Sequence, residues 1–538
     1  MQAPTWHQAT FVLKRCTSAL PVAIIGLSFL LVGCGGGSSK TPVLQVSVTN
    51  TVNPLVAQFR VSSGCTGQVM VEFGPDTKYG RSTSSYAVSA GQGVTIQIAG
   101  MRASTAYHMR AQRDCGGVTD ISRDLTFTTG PIPSSIPVPA LQVSRPDPPS
   151  PQSEGAGVEM LTLIASGSNL MQALFTDRDA NPIWYYKLDP TYFPFTIKQL
   201  QNGHMLISMT SVEQSPGSLI REVDLAGNTI RQLSINDLQA KTQAAGYDFG
   251  PAGFHHDLLE LPNGHLIVLV NCYKDFQNLP GSTGTVTVQG DAIIDLDQDW
   301  NPVWSWNSFD YLDVTRHLAA ITGTTLDWTH SNALVYSPND GNLLVSMRHQ
   351  SWILKIDYNN GAGTGNVLWR LGYQGNFSLT QAGTPTDDPS LWFSFQHFPS
   401  LISQNGSQMT LAIWDNGDYR VLDTNGTLCL IPGPPVCYSR ATIFQVDESA
   451  MVANLDWAYA PGLFSNWGGS INQLSNGNVE FDVNAPQVPP APNVASEVQE
   501  VTQTSTPEVI WKMDIPVPTN AYRAYRVPSL YPGVTWQY

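Results

Sequence analysis

Four of the chain's 10 histidines fall at the starts of three apolar strand patterns, where they could act on one ligand. They are His255, His256, His330 and His397. An imidazole can donate a proton, accept one or attack as a nucleophile. Arg348 follows the second apolar run after His330, and a guanidinium forms a fixed fork for the oxygens of sulfate or phosphate. These residue types predict a site for an anion with tetrahedral oxygens.

An internal repeat indicates how these residues are brought together. Each unit begins with two apolar runs joined by a turn that usually contains Asn and Gly, a strong hairpin signal because both turn residues adopt positive φ. A second pair of apolar runs follows, so each unit predicts four strands. Six such units predict a six-bladed β-propeller, whose innermost strands line a central channel. The first hairpins are predicted at residues 161–175, 197–209, 258–270, 333–347, 400–414 and 470–483.

The rest of the chain adds a second, smaller domain to this all-β fold. Residues 34–130 show alternating apolar positions and resemble a small fibronectin-like β-sandwich. Residues 131–155 are rich in Pro and Ser, which predicts an extended linker. We expect the propeller to occupy residues 156–538, with one short helix near 236–246.

The N-terminus predicts export and lipid attachment. Residues 1–33 read as a signal peptide, with Lys14 and Arg15 before an apolar run that is too short for a membrane helix. The run ends in Leu-Val-Gly-Cys, which resembles the bacterial lipobox. That resemblance implies cleavage before Cys34, an acyl anchor on it, and a location in the periplasm or cell envelope at the outer membrane.

Five further cysteines would lie in an oxidising compartment after export. Cys429 and Cys437 flank a Pro-Gly-Pro-Pro loop, and this spacing favours a disulfide between them. Cys65 and Cys115 lie in the predicted sandwich, where pairing stays open. Cys272 is left over and is expected to be a core thiol, and no Cys-x-x-Cys motif indicates a zinc or redox site.

Composition excludes several function classes. Charged residues make up 13% of the chain and the formal net charge is -15, whereas nucleic-acid binding requires a basic footprint. The aromatic content of 10% argues against disorder. The chain contains no Gly-x-x-x-x-Gly-Lys-[Ser/Thr] loop, so we expect neither a nucleotide donor nor a cofactor.

The motifs around the histidines resemble those of the bacterial arylsulfotransferases. The segments are HHDLLELPNGHLIV, DWTHSNALVYSPNDGNLLVSMRHQSWILKID, FQHFPSLI followed by WDNGD, and CYSRATIFQVD. The resemblance covers roughly residues 155–538. It implies a periplasmic six-bladed propeller that moves a sulfuryl group from an aromatic sulfate ester to a phenol. It further implies a covalent sulfohistidine and independence from an adenylated sulfate donor.

The resemblance also implies roles for particular residues. His397 would be the nucleophile, and His330 would be the acid and base that serves the phenol oxygen. Arg348, Asn332 and one histidine of the third blade would hold the sulfuryl oxygens.

For the third blade, the residues leave two candidates open, because neighbouring strand residues point in opposite directions. Alignment of the apolar positions with the fourth blade favours His255, whereas pairing with Asp257 favours His256. The preferred assignment is His256.

Two other functions remain alternatives at this stage. Three histidines could hold a divalent metal ion in a propeller hydrolase, although Arg348 beside a cation is unfavourable and no metal site is expected. The chain could also be a non-catalytic surface lipoprotein that binds a ligand or a protein. The sequence leaves the oligomeric state open, with a homodimer as one alternative.

Overall fold

The computed structural model of the chain describes residues 44–537 apart from 166–171, 190, 212–216, 431–436, 488–490 and 492. The predicted signal peptide and Cys34 therefore lie outside the described residues. In the part that is described, no helix is long and apolar enough to span a membrane.

The N-terminal domain is a β-sandwich. Its strands are Gln45–Asn50 (β1), Ala57–Ser62 (β2), Gly67–Gly74 (β3), Arg81–Ser82 (β4), Tyr86–Val88 (β5), Gly93–Ile98 (β6), Ala106–Asp114 (β7), Thr119–Ile121 (β8) and Leu125–Thr128 (β9). One sheet has the order β1-β2-β6, and the other has the order β4-β3-β7-β8 with β5 and β9 attached. In β2 and β7, buried and exposed residues alternate, because one face of each strand packs on the core.

The second domain consists of mainly antiparallel sheets, and we call them blades 1 to 6 in chain order. Blades 1 and 2 contain Val158–Ala165 (β11), Gln172–Thr176 (β12), Pro182–Tyr186 (β13), Tyr192–Gln199 (β14), Met205–Ser211 (β15), Ser218–Val223 (β16) and Thr229–Ser234 (β17). Blades 3 and 4 contain Gly253–Glu260 (β18), Leu266–Gln277 (β19), Thr285–Leu296 (β20), Pro302–Asn307 (β21), Thr325–Asp327 (β22), Ser331–Ser337 (β23), Asn342–Met347 (β24), Trp352–Ile356 (β25) and Val367–Leu371 (β26).

The remaining strands complete blades 5, 6 and 1. Blades 5 and 6 contain Ser378–Gln381 (β27), Thr384–Pro385 (β28), His397–Asn405 (β29), Gln408–Asp415 (β30), Arg440–Asp447 (β31), Val452–Tyr459 (β32), Ser470–Gln473 (β33), Val479–Asn484 (β34), Val494–Val501 (β35) and Val509–Pro516 (β36). The C-terminal strand Thr519–Val527 (β37) pairs with β11, and Gln142–Ser144 (β10) pairs with β36. Thus part of the predicted linker forms the edge of blade 6.

The innermost strands contact one another in a closed ring. Contacts run from β14 through β18, β23, β29 and β33 to β37, whose partner β11 contacts β14. This is the predicted six-bladed propeller, and the all-β fold class is confirmed. The predicted inner hairpin at 161–175 is wrong in position, because β11 and β12 are the second and third strands of blade 1. The C-terminal strand takes the innermost position and closes the ring.

The few helical segments lie between strands. They are Ile235–Ala244 (α1), Ser308–Tyr311 (α2) and the single 3₁₀ turns Arg348–Gln350, Asn359–Gly361 and Pro389–Leu391. Helix α1 forms where a helix is predicted, and the Ser234 side chain caps it by accepting from the Asp237 N–H. The second strand of blade 4, β24, is buried at every residue, because each blade is covered on both faces by its neighbours.

The sandwich packs against the first blades of the propeller. Arg102 Nε lies 2.5 Å from Asp177 Oδ2, and Gln97 donates to Asp224 over 2.7 Å. The Trp536 ring packs edge-on against Phe73 with 5.7 Å between centroids. The C-terminus therefore joins the two domains.

Candidate active site

Bulged strand starts position the predicted histidines. The inner strand pairs of blades 3, 4 and 5 shift register after Phe254, Ser331 and His397, respectively. His256 and His330 adopt φ of 51° and 50°, a left-handed conformation that costs a non-glycine residue about 1–2 kcal/mol. Such strain persists where the surroundings enforce it, and it clusters at functional sites.

The rings of three histidines lie in series at the centre of the ring of blades. The centroids of His256 and His330 are 4.7 Å apart, and those of His330 and His349 are 4.5 Å apart. Phe195 from blade 2 and Tyr522 from blade 1 lie 5.2 Å and 5.9 Å from His256. Side chains from four blades therefore meet at one point.

The two adjacent histidines of blade 3 have different environments. His256 contacts the central rings, whereas His255 is 4% exposed and its Nε2 lies 3.3 Å from Asp291 Oδ1. The two Nδ1 atoms are 2.8 Å apart and share a hydrogen bond. Burial, together with the charges of neighbouring groups such as His330, lowers the pKa of His256 well below its ordinary value. His256 is therefore a neutral member of the cluster, and His255 is hydrogen-bonded to it from outside the cluster.

His397 is 1% exposed and is held in one tautomer. The Asn416 amide nitrogen donates to the carbonyl oxygens of Ser465 and Gly468 over 2.8 and 3.1 Å. Its Oδ1 must then face His397 Nδ1, 2.7 Å away, so Nδ1 carries the proton. Burial, followed by the charge of Arg348, lowers the pKa of His397 well below its ordinary value. Nε2 is therefore unprotonated, and its lone pair accepts a hydrogen bond from the Gly468 N–H over 3.2 Å.

His330 is oriented by a carboxylate. Its Nδ1 lies 2.5 Å from Asp327 Oδ2, which directs Nε2 away from that carboxylate. Burial alone would raise the pKa of Asp327, but the hydrogen bond with His330 and its charge lower it. His349 is fully engaged, because Nδ1 donates to the Asp327 carbonyl oxygen over 2.7 Å and Nε2 accepts from Arg348.

The positive charge of the Arg348 guanidinium has no carboxylate within hydrogen-bond distance in the described ranges. Its Nη1 donates to His349 Nε2 and its Nη2 to the Asn466 carbonyl oxygen over 2.7 Å. The carboxyl group of Asp418 is 3.9 Å from Nη2, and burial raises the pKa of that group to about 7. Nε is buried and finds no partner among the described residues. The charge is thus available to an anion.

The Asn332 side chain contacts the backbone next to His397 and not the histidine ring itself. It is fully buried, and its amide nitrogen donates to the Gln396 carbonyl oxygen over 2.7 Å. That contact ties the inner strand of blade 4 to the residue before His397. One of the two N–H groups of the Asn332 amide is therefore already used.

A buried ion cluster behind the histidines was not anticipated from the sequence. Asp257 Oδ1 lies 3.0 Å from Arg523 Nη1 and 2.9 Å from Lys198 Nζ, and Oδ2 accepts from the Leu334 N–H over 2.9 Å. Burial would raise the pKa of Asp257, but the two cations lower it. The cluster links blades 1 to 4. Arg523 could have been found only by recognising β37 as an innermost strand.

The structure describes five of the cysteines, and it confirms the predicted pair Cys429–Cys437 and the buried thiol of Cys272. Disulfides join Cys429 to Cys437 and Cys65 to Cys115. Cys272 is buried, and its thiol lies 3.6 Å from Asn307 Oδ1. Burial raises the pKa of this thiol, which makes it unreactive.

One group of side chains could be considered for a metal ion. Candidate ligand atoms of Asp327, His330 and His349 lie within 4.8 Å of one another. However, His330 Nδ1 donates to Asp327, and both nitrogens of His349 are engaged, one of them by the Arg348 cation. A divalent ion would have to displace these bonds beside a positive charge, so the set fits a metal poorly.

Several solved structures resemble parts of the fold at low identity. A protein of unknown function from Bacteroides caccae is 12% identical and has a TM-score of 0.38, covering 69% of this chain and 98% of that chain. A protein of unknown function from Dyadobacter fermentans is 12% identical with a TM-score of 0.35, covering 66% and 86%.

Sequence comparison gives a more informative result. Arylsulfate sulfotransferase AssT of Escherichia coli O6:H1 (strain CFT073) is 23% identical over 263 residues, which are 39% of this chain and 41% of that protein. The match thus spans about two-fifths of the curated relative's length. A family model described as Arylsulfotransferase (ASST) matches residues 149–526. These residues run from before β11 into β37 and include all the histidines of the cluster, so the chain belongs to the arylsulfotransferase family.

Proposed function

We propose that the chain moves a sulfuryl group from an aryl sulfate ester to a phenol through a sulfohistidine formed on His397. The observation that carries this proposal is the neutral, unprotonated Nε2 of His397, which is buried close enough to Arg348 for that charge to lower the histidine's pKa. A neutral nucleophile within the electrostatic influence of a weakly paired cation suits an anionic electrophile.

In the first half-reaction, His397 Nε2 attacks the sulfur of the aryl sulfate in line with the leaving oxygen. The N–S bond forms, the S–O bond to the aryl group breaks, and the electron pair leaves on the phenolate oxygen. Protonated His330 gives its proton to that oxygen, so a neutral phenol departs. In the second half-reaction, His330 removes the proton of the incoming phenol, whose oxygen attacks sulfur and releases His397.

The side chain that accepts from His397 Nδ1 is the neutral amide of Asn416. A neutral acceptor suits a sulfohistidine, because this intermediate must react again with the phenol. While sulfur is bound to Nε2, the imidazole ring keeps its Nδ1 proton and carries a positive charge. A carboxylate at that point would stabilise this charge, whereas the Asn416 amide, 2.7 Å from Nδ1, only orients the ring. We infer that Asn416 keeps the sulfohistidine labile.

The other groups of the cluster supply positioning and charge stabilisation, which dominate transfer reactions of this type. Arg348 would face the sulfuryl oxygens, and neutral His256 would donate a hydrogen bond to one of them. Burial raises the pKa of the Tyr522 hydroxyl to about 12, so this residue also stays protonated as a donor beside His256.

The setting we propose is outside the cytoplasm, with a lipid anchor at Cys34. The lipobox-like motif and the two disulfides support this setting, since disulfides persist in oxidising compartments. The substrates would be small aromatic sulfates and phenols that reach the cell envelope.

Incubation of the purified protein with p-nitrophenyl sulfate tests the activity. Multiple-turnover release of p-nitrophenol that requires phenol and survives a chelator is the expected result. Multiple-turnover release that is independent of phenol would indicate a hydrolase, and loss of release with the chelator would indicate a metal enzyme. No release over a panel of aryl sulfates would favour a binding protein and contradict the proposal.

A further inference from the structure

A separate cavity lies beside the histidine cluster. It has a volume of about 240 Å³, and none of the clustered histidines lines it. Tyr419 forms part of its wall, and the Tyr419 ring is 5.1 Å from the Phe395 ring. Arg348 Cζ lies 5.0 Å from that same Phe395 ring. One layer of aromatic side chain thus separates the cavity from the reacting centre.

The wall of the cavity is mainly apolar and aromatic. Its rings are those of Tyr373, Trp392, Phe393 and Tyr419. Trp392 and Phe393 are fixed by the Phe444 ring, which stacks on the first at 6.0 Å and meets the second edge-on at 5.7 Å. Pockets for drug-sized ligands measure about 300–1,000 Å³, so this preformed cavity suits a smaller ligand of one or two rings.

Two arginines, Arg316 and Arg420, also line the cavity. Among the described residues that line the cavity there is no Asp or Glu. Arg420 pairs at 2.7 Å with Asp415, which it shares with Arg440. Arg316 stacks on the Trp352 ring at 3.5 Å and donates to Gln350.

In the described part of the chain Arg316 is not ion-paired with a carboxylate. Burial, together with the charge of Arg370, lowers the pKa of Arg316 to about 10, so the side chain stays protonated at neutral pH. In a chain of net charge -15, an uncompensated and half-buried cation in a pocket favours an anionic ligand.

We propose that this cavity is a second binding site, distinct from the reacting centre, for a small aromatic anion such as an aryl sulfate, sulfonate or carboxylate. The ring would lie between Trp392, Phe393 and Tyr419, and the anionic group would pair with Arg316. This site does not depend on the reaction at His397, because it is defined by binding alone.

Isothermal titration calorimetry with naphthalene-2-sulfonate tests the site. This probe has a C–S bond and cannot donate a sulfuryl group. All titrations use protein that carries Arg348→Gln, which removes the cation of the reacting centre. Arg316→Gln should weaken binding about tenfold, the size expected for a lost charged hydrogen bond. Tyr419→Ala removes part of the aromatic wall and so tests the site independently of that arginine. Tyr419 is 44% exposed, so its removal should not unfold the protein.

Arg370→Gln is the matched control. Its guanidinium approaches the same Trp352 ring, at 5.6 Å, but it does not line the cavity, so binding should change less than about twofold. Equal weakening by Arg316→Gln and Arg370→Gln would overturn the proposal, as would no binding in the Arg348→Gln protein. Affinity equal to that of the Arg348→Gln parent in both Arg316→Gln and Tyr419→Ala would also overturn it.

Discussion

Replacing Arg348 with Gln removes the cation that we place against the sulfuryl oxygens. The change should leave the fold intact, because the nearest carboxyl group, Asp418, is 3.9 Å away and burial raises its pKa to about 7. Asp418 can therefore become neutral rather than remain as an unpaired buried charge.

The size of the effect follows from the bonds that are lost. Removing one donor to a developing oxyanion costs about 2.7–4 kcal/mol, or 10²–10³ in rate. The donor half-reaction should therefore slow about 100-fold or more in Arg348→Gln, measured as the single-turnover burst of p-nitrophenol. The Arg370→Gln variant, which also removes one positive charge but lies outside the cluster, should keep the wild-type burst.

The pH profile adds a second readout. Burial and then the Arg348 charge hold the pKa of His397 well below its ordinary value, so the nucleophile loses activity only when the pH falls far below that value. Without the charge, the pKa of His397 rises, and the acid limb of the burst rate should move to higher pH. A wild-type burst rate with an unmoved acid limb would refute the placement of Arg348 at the sulfuryl oxygens.

Three further substitutions test the orientation of His397, the proton transfer by His330 and the contribution of a disulfide to stability. Asn416→Ala removes the acceptor 2.7 Å from His397 Nδ1; the burst should slow about 100-fold, and an unchanged burst in stopped-flow measurements would exclude this role. Asp327→Asn removes the charge 2.5 Å from His330 Nδ1; steady-state turnover with phenol should fall while the burst persists, because p-nitrophenolate leaves without a proton. Equal loss of both would contradict the assignment. Cys437→Ser opens the short disulfide loop and should lower the free energy of unfolding by about 2–3 kcal/mol in urea titrations, with no change expected in the burst.

The sequence predicts those parts of the fold that local signals determine. Each turn of the Asn-Gly type lies between the two strands that it joins, so the inner hairpins of blades 2 to 6 follow from short stretches of chain. Histidines at equivalent points of three such hairpins had to meet at the centre of a ring. This is why the sequence predicts His330 and His397 as site residues and, in blade 3, His256 with His255 as the alternative.

Long-range pairings could not be predicted in this way. Strand β37 pairs with β11 more than 300 residues earlier in the chain, and no local pattern distinguishes it from an ordinary edge strand. Its residues Tyr522 and Arg523 were therefore missed, although they lie against the histidines. The bulges also explain why alternation along a strand could not decide between His255 and His256, since a bulge interrupts that alternation.

The hydrogen-bond partners of the predicted histidines also could not be predicted from the sequence. Asn416 orients His397 from the position directly after β30, and Asp327 orients His330 from the end of β22. Each pairing depends on tertiary geometry rather than on spacing. The roles implied by family resemblance therefore gain a physical basis only from the hydrogen bonds around them.

The central claim is that His397 becomes covalently sulfonated, and mass spectrometry at near-neutral pH tests it most directly. The protein is mixed with p-nitrophenyl sulfate in the absence of phenol, and the intact protein and its peptides are measured. We predict one added SO₃ group, located on His397, that disappears when phenol is added and does not form in folded His397→Asn protein. An enzyme that turns over the donor without any adduct, or with the adduct on another residue, would contradict the account.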